Sequence, residues 1–128
     1  MTKRYMYIGK RYNVLQSMHS EAKDYEVVVV TTLKTAQTLI KKRRFDAIFT
    51  ELVVDGDYLG GYKILHFIKT FDKNNRTPVY AIGHYELKES REWILGLGFT
   101  EYCHIPKDEE VNKCILVKKD KQKRNSAA

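Results

Sequence analysis

The chain contains little cysteine, little proline and no long apolar run. Its 128 residues include two cysteines, two prolines and one tryptophan. Because Cys103 and Cys114 are too few for a disulfide framework, we expect reduced thiols and a cytoplasmic location. No apolar run approaches the roughly 18–20 residues of a membrane span. The stretch after Lys3 and Arg4 is also too short and too polar for a signal peptide, so we expect no role at a membrane.

The composition is that of a folded soluble protein. Hydrophobic residues make up 43% of the chain and charged residues 30%, which excludes an intrinsically disordered protein. The length fits one domain that can bury a sizeable core. We expect residues 1–117 to form this domain and residues 118–128 to form a basic tail that is frayed or disordered.

Positive charge is concentrated in two clusters. The net charge is +7, and residues 118–124 hold five basic side chains and one acidic one. The second cluster is Lys41, Lys42, Arg43 and Arg44, a candidate basic patch. Both clusters could bind nucleic acid or an acidic protein, or they could be a solvated helix end and a soluble tail. The tail has no aromatic residue that could stack on bases, and a helix C-terminus favours cations, so we favour the second interpretation.

Apolar runs alternate with segments of helical periodicity. The pattern predicts strands near residues 5–8, 25–31, 46–52, 77–83 and 102–105. It predicts helices near residues 11–22, 33–40, 62–71 and 87–97, and a last helix that starts near 108. Thr32 is a suitable N-cap for the second helix, and Gly98 is a suitable terminator for the fourth. Strands and helices that alternate in this way predict a parallel sheet covered on both faces.

The order and spacing of several short motifs resemble those of response-regulator receiver domains. Phe45-Asp46-Ala47-Ile48 resembles the start of the third receiver strand, and Thr77-Pro78-Val79 resembles the start of the fourth. Gly98-Phe99-Thr100-Glu101-Tyr102 resembles the approach to the fifth strand, and Ile105-Pro106 stands where the family has Lys-Pro. The resemblance covers about residues 4–117. It implies an α/β fold of the flavodoxin-like (βα)5 type, a doubly wound parallel sheet with strand order 2-1-3-4-5.

The same resemblance implies that the phosphorylation site of a receiver is lost. In the family, two acids after strand one and an acceptor aspartate after strand three hold Mg²⁺, while a hydroxyl residue after strand four and a lysine after strand five contact the phosphoryl group. The matching positions here form a degenerate phosphoacceptor site: Gly9, Lys10, Glu51, Gly83 with His84 beside it, and Ile105. One carboxylate next to an ammonium group is a poor Mg²⁺ site. We therefore expect an atypical receiver, a pseudo-receiver, that has no metal and no cofactor.

Some acidic and titratable residues near this position allow more than one interpretation. Lys10 and Glu51 could form an ion pair that replaces the metal, or both side chains could point into solvent. Asp55 and Asp57 lie in a loop longer than that of the family, and we favour turn formers over a displaced acceptor. His84 could sense pH or bind an anion, although a simpler surface role is favoured.

The resemblance also implies a switch and an interface. Tyr102 matches the aromatic switch residue of receivers, whose ring moves inward on activation; the alternative is a half-buried strand aromatic. The implied interface is the face formed by the fourth helix, the fifth strand and the fifth helix, with Trp93, Tyr102, His104 and Pro106. Receivers often pair through this face, so a homodimer is one expectation. The Ile105–Pro106 bond is expected to be cis, as in the family.

Three functions follow from these observations. The leading hypothesis is a phosphorylation-independent pseudo-receiver that binds a protein partner in signal transduction or transcriptional regulation. The second is a nucleic-acid-binding accessory protein that uses Lys41–Arg44 and residues 118–124. The third is an enzyme on the same scaffold, but no constellation of catalytic residues supports it, so we expect no enzymatic activity.

Overall fold

The structure, a computed structural model, describes residues 3–11, 25–71, 73–83 and 88–105. Its strands are β1 (Lys3–Ile8), β2 (Tyr25–Val30), β3 (Ala47–Glu51), β4 (Val79–Gly83) and β5 (Glu101–His104). Its helices are α1 (Leu33–Lys42), α2 (Gly60–Thr70) and α3 (Lys88–Gly96). They correspond to the second, third and fourth predicted helices. The predicted first and last helices, His84, Pro106 with its predicted cis bond, and the basic tail lie outside the described residues.

The five strands form one parallel sheet with the order β2-β1-β3-β4-β5. The predicted strand order 2-1-3-4-5 is therefore confirmed. In the register of the sheet, Ile8 lies between Val30 and Thr50, and Gly83 lies beside His104. The carboxyl ends of β1, β3, β4 and β5 consequently meet at one edge of the sheet.

The first face of the sheet packs against the three described helices. Met6, Ile8, Ile48 and Ala81 of this face are fully buried. The helices contribute buried apolar side chains: Ala36, Ile40, Ile64, Leu65, Ile68 and Ile94. Leu33 and Leu39 of α1 are only partly buried, at the rim of this cluster. Burial of this apolar surface is the main source of stability for such a layered fold.

The second face of the sheet is mostly aromatic. Tyr5, Phe49 and Tyr80 are fully buried there, and the Phe49 and Tyr80 rings stack with centroids 5.0 Å apart. Tyr5 packs edge-on against Phe49 and Tyr25. The segments predicted to cover this face lie outside the described residues.

Local signals in the sequence account for the ends of the helices. The Thr32 hydroxyl accepts a hydrogen bond from the Thr35 N–H at 3.2 Å, which confirms the predicted N-cap of α1. Gly98 follows α3 with φ of 114°, and its N–H donates to the Leu95 carbonyl at 3.0 Å, which fits its predicted role as terminator. None of the described helices is both long enough and apolar enough to cross a membrane.

Candidate functional site

The carboxyl edge of the sheet brings most of the predicted site positions together. Glu51 and Gly83 end β3 and β4. Gly9 directly follows β1 and donates its N–H to the Val30 carbonyl at 3.0 Å. Ile105 directly follows β5 and donates its N–H to the Gly83 carbonyl at 2.8 Å. The positions inferred from the resemblance are thus neighbours on one edge, except His84, which lies outside the described residues.

The Glu51 side chain lies against the backbone of Gly9. A Cβ atom placed on Gly9 would collide with the Glu51 carboxylate and with its Cγ and Cδ carbons. The Glu51 side chain is only 13% exposed, so it has little room to move away. A side chain at position 9 would therefore have to displace the Glu51 carboxylate, which fills the space that this side chain would take.

The backbone of Lys10, and not its ammonium group, contacts this carboxylate. Glu51 Oε2 accepts a hydrogen bond from the Lys10 N–H at 3.1 Å. The Lys10 ammonium group instead lies 3.1 Å from Asp55 Oδ1. The predicted Lys10–Glu51 ion pair is therefore wrong, and so is the alternative in which both side chains point into solvent. The reason is steric: the carboxylate already lies against the main chain of residues 9 and 10, and the long lysine side chain extends outward.

Arg11 supplies the cation that the sequence argument assigned to Lys10. Its Nε lies 3.8 Å from Glu51 Oε1, and its Nη1 donates to the Ile105 carbonyl at 2.9 Å. The side chain is 19% exposed and spans from the end of β1 to the end of β5. This role of Arg11 was not predicted from the sequence, because the pattern placed Arg11 at the start of a helix. Its place two residues after Gly9 was the one available signal.

Burial dominates the electrostatics of Glu51. It raises the pKa of this carboxyl, although the Lys10 N–H, the Tyr7 hydroxyl and the Arg11 charge each lower it. Burial also raises the pKa of Tyr7, and the negative charge of Glu51 raises it further. Among the described residues, Glu51 Oε1 has no hydrogen-bond donor. The carboxylate is therefore mostly buried, and one of its two oxygens accepts no hydrogen bond from the described residues.

The donor set at this edge does not fit Mg²⁺. Magnesium prefers an octahedral shell of carboxylates, other oxygens and waters. Here the first two positions offer Gly9 and Lys10, and the Glu51 carboxylate faces an N–H and a guanidinium group. Within the described ranges, no cluster of three or more His, Cys, Asp or Glu side chains could hold a metal ion.

Gly83 is covered by Tyr102 much as Gly9 is covered by Glu51. A Cβ atom placed on Gly83 would collide with the Tyr102 hydroxyl and lie within 2.8 Å of its ring. Tyr102 is 2% exposed, so it is fully buried, not half-buried as one interpretation expected. Its carbonyl accepts a hydrogen bond from Arg91 Nη1 at 3.2 Å, and the same guanidinium group pairs with Glu101. The ring thus lies inward, beneath the contact between α3 and β5.

The long loop after β3 contains a tight turn. Val54 and Asp57 exchange two backbone hydrogen bonds of 2.9 and 3.1 Å. Between them, Asp55 and Gly56 have φ values of 51° and 78°, the signature of a type I′ turn, which favours Asp-Gly. This turn carries Asp55 to the Lys10 ammonium group.

The carboxylate of Asp57 also has two partners close by in the chain. Its Oδ1 accepts from the Leu59 N–H at 2.8 Å, and its Oδ2 lies 2.6 Å from the Lys63 ammonium group. The hydrogen bond from Lys63 lowers the pKa of Asp57. Asp55 and Asp57 therefore have the roles of turn residues with cationic partners.

The predicted interface residues differ in exposure. Trp93 on α3 is 64% exposed and His104 is partly exposed, whereas Tyr102 is buried and can influence this face only from beneath. Pro106 lies outside the described residues. Further large apolar side chains are exposed in the loop after β3 and the first turn of α2: Val53, Tyr58, Leu59 and Tyr62.

The candidate basic patch lies at the C-terminal end of α1. Lys41, Lys42, Arg43 and Arg44 are all exposed. The Lys41 ammonium group lies 5.2 Å from the ring centroid of Phe71 and 5.7 Å from that of Phe67. These cation–π contacts give Lys41 a structural role without any nucleic acid.

No family model matches the chain, and no curated protein matches it. Several solved structures do. The chemotaxis response regulator CheY4 of Vibrio cholerae is similar with a TM-score of 0.80 and 16% identity, over 96% of this chain and 99% of that one. The receiver domain of a sensor histidine kinase from Pseudomonas aeruginosa PAO1, described with a magnesium ion coordinated in its active-site cleft, has a TM-score of 0.74 and 20% identity, over 95% of this chain and 97% of that one.

The beryllofluoride-activated NtrC4 receiver domain dimer is also similar, with a TM-score of 0.77 and 19% identity, over 99% of this chain and all (100%) of that one. At these identities the likeness concerns the fold. Together with the strand order of the sheet, it shows that this chain has the CheY-like, flavodoxin-like fold of response-regulator receiver domains.

Proposed function

We propose that the chain is a pseudo-receiver: a receiver-like module that binds a protein partner in signal transduction or transcriptional regulation, without phosphorylation and without catalysis. One observation carries the proposal. The carboxylate at the acceptor position, Glu51, is packed on the backbone of Gly9 and bonded to the Lys10 N–H. The group that would have to be phosphorylated is therefore enclosed by the protein itself.

The remaining positions of the edge support this argument. Transfer of a phosphoryl group requires positive charge that compensates its oxygens and a group that orients them. Gly83 offers no hydroxyl, and Tyr102 occupies the space above it. Ile105 offers no ammonium group, and its carbonyl accepts from Arg11. The Arg11 guanidinium group is in turn held between this carbonyl and the Glu51 carboxylate. There it compensates the negative charge of Glu51 and not that of a phosphoryl group.

The face formed by α3 and β5 is the best-supported surface for a partner. Trp93 exposes most of its side chain there, and tryptophan is enriched among residues that dominate binding energy. Arg91 fixes α3 to β5 through Glu101 and the Tyr102 carbonyl. Because Tyr102 lies inward over Gly83, this face is held in one arrangement. A second copy of the chain is one candidate partner, as in the solved receiver dimer.

The proposal can be tested by affinity capture and sedimentation with matched variants. Trp93→Ala should reduce capture of the bound partner, or self-association, by about tenfold or more. Tyr58→Ala is the control, because Tyr58 is 83% exposed but lies in the loop after β3; it should leave capture unchanged. Acetyl phosphate with Mg²⁺ should alter neither result. A partner whose binding depends on acetyl phosphate would overturn the proposed independence from phosphorylation.

A further inference from the structure

A polar groove lies at the amino-terminal edge of the sheet, opposite the site described above. It has a volume of about 270 Å³ and opens between the starts of β3 and β4. Its polar lining comes from Arg44, Asp46, Lys73, Asn75, Arg76 and Thr77. None of these residues takes part in the contacts of Glu51 or Tyr102, so the groove is a separate feature of the fold.

A buried asparagine holds the walls of this groove together. Asn74 is 1% exposed, and its Oδ1 accepts from the Phe45 N–H at 2.9 Å and from the Thr77 hydroxyl at 3.0 Å. Its Nδ2 donates to the carbonyls of Ile40 and Arg43, each at 2.7 Å. The turn before β4 is thus tied to the end of α1 and to the start of β3, and the groove is formed before any ligand arrives.

The groove has an excess of positive charge. Arg44, Lys73 and Arg76 contribute three cations to the lining, against the one carboxylate of Asp46. Asp46 is engaged by the backbone, because its Oδ2 accepts from the Arg4 N–H at 2.7 Å. In the part of the chain that the structure describes, neither Arg44 nor Arg76 takes part in an ion pair. Both guanidinium groups can therefore turn to an external anion.

We propose that this groove binds the phosphoryl group of a small phosphate-bearing ligand. A guanidinium group presents paired N–H donors that match phosphate oxygens, and two of them in the lining of one groove can hold one dianionic group. The Lys73 ammonium group donates to the Lys42 carbonyl at 2.9 Å and adds charge from the side. The volume lies just below the range of about 300–1,000 Å³ typical of drug-sized ligands, so the occupant is small.

Inorganic pyrophosphate is a suitable probe, followed by amide NMR titration of the full chain. We expect saturable shifts at Arg44, Asp46 and Arg76. Arg44→Gln/Arg76→Gln should weaken binding by about tenfold or more, since the loss of even one guanidinium contact to phosphate costs about that factor. Lys34→Gln/Lys63→Gln removes the same charge from exposed residues at the other edge, and it should change the affinity by less than about twofold. Asp46→Asn should tighten binding, because it removes the one lining carboxylate.

Three results would overturn the proposal. The first is an absence of shifts at the groove. The second is an equal loss in both double variants, which would indicate attraction by net charge alone. The third is much tighter binding of a short single-stranded oligonucleotide that Asp46→Asn does not affect, which would assign the basic residues to nucleic acid outside the groove. Because the substituted arginines and lysines are exposed, circular dichroism and thermal unfolding of the variants should match those of the original chain.

Discussion

Several charged side chains at the carboxyl edge of the sheet have partners within the protein, whereas two arginines at the amino edge form no ion pair among the described residues. Glu51 is paired with the Lys10 N–H and lies near Arg11, Lys10 is paired with Asp55, and Lys63 with Asp57. Arg44 and Arg76 at the amino edge have no such partner among the described residues. At the carboxyl edge, the chain's own groups therefore contact the Glu51 carboxylate.

The difference draws attention to how side chains at the carboxyl edge pack against the main chain. Two glycines make this possible at the carboxyl edge: Gly9 admits the Glu51 carboxylate, and Gly83 admits the Tyr102 hydroxyl. Gly9 and Gly83 lack the functional groups that the resemblance to receivers implies at these positions. Each of the two glycines also leaves space for a neighbouring side chain. The following experiments test whether these two contacts hold the edge closed.

The largest effect is expected for Gly9→Ala. The new Cβ would collide with the Glu51 carboxylate, and overpacking of this kind lowers the free energy of unfolding by about 1–3 kcal/mol. Gly96→Ala is the matched control, because a Cβ there meets nothing within 4 Å; in the exposed last turn of α3 it should be neutral or stabilising. Urea denaturation measures both.

A double-mutant cycle tests whether Glu51 is the cause. Glu51→Ala should recover a large part of the stability lost in Gly9→Ala, with a coupling energy of about 1 kcal/mol or more. If Gly9→Ala costs no more than Gly96→Ala, or if Glu51→Ala brings no recovery, then the carboxylate does not occupy the space above Gly9.

Gly83→Ala should have the next largest effect, about 1–2 kcal/mol of unfolding free energy. The added methyl group displaces Tyr102 from its inward position, and the α3–β5 contact above the ring shifts with it. Trp93 is the one tryptophan of the chain, so its fluorescence reports this shift directly. We expect Gly83→Ala to change the Trp93 emission and Gly9→Ala to leave it unchanged. If both variants had the same Trp93 emission, the position of Tyr102 would have no effect on the face formed by α3 and β5.

Arg11→Gln and Lys10→Gln compare the two cations at the carboxyl edge. Arg11 is largely buried and bonded to the Ile105 carbonyl, so its loss should lower the free energy of unfolding by about 1–2 kcal/mol. The Lys10–Asp55 pair is exposed on both sides, and such pairs contribute about 0–1 kcal/mol. Denaturation of the two variants at one pH gives the ranking. A larger loss of stability from Lys10→Gln than from Arg11→Gln would contradict this ranking and would favour the Lys10–Glu51 ion pair, one of the two expectations from the sequence.

The smallest effect is expected for Glu51→Gln, because removal of the buried charge is partly offset by weaker bonding to the Lys10 N–H. The sign depends on pH. The folded protein holds the Glu51 proton more tightly than the unfolded chain, since burial raises the pKa of this carboxyl above its ordinary value. The stability of the original chain relative to Glu51→Gln should therefore fall as the pH rises above 4.5, until Glu51 is ionised in the folded state as well. Denaturation of both proteins across this range would contradict the account if the difference had the opposite slope.

Features that depend on a few residues close together in the chain were predictable from the sequence. The apolar runs predicted the five strands, because a buried parallel strand needs a continuous apolar segment, whereas the strand order followed from the resemblance to receivers. Thr32 and Gly98 were recognisable because capping depends on one residue and its nearest neighbours. The positions at the carboxyl edge, Gly9, Glu51 and Gly83, followed from the resemblance to receivers.

The contacts between those positions were not predictable. Which atom of Lys10 meets Glu51 depends on the path of the backbone after β1, and the reach of Arg11 depends on where β5 ends. The Lys10–Asp55 pair requires the type I′ turn at Asp55 and Gly56, and that turn places the aspartate opposite a strand distant in sequence. Asn74 bonds to residues about 30 positions away in the chain, and no local pattern in the sequence indicates such partners.

The central claim is that the carboxyl edge is closed to Mg²⁺ and to a phosphoryl group. Amide NMR of the full chain, with Mg²⁺ and then with Mg²⁺ and beryllofluoride, tests it most directly. The account predicts that the signals of Gly9, Lys10, Glu51 and Gly83 stay where they are. Saturable shifts of these signals on addition of beryllofluoride would contradict it, because they would show that the acceptor position still opens to a phosphoryl analogue.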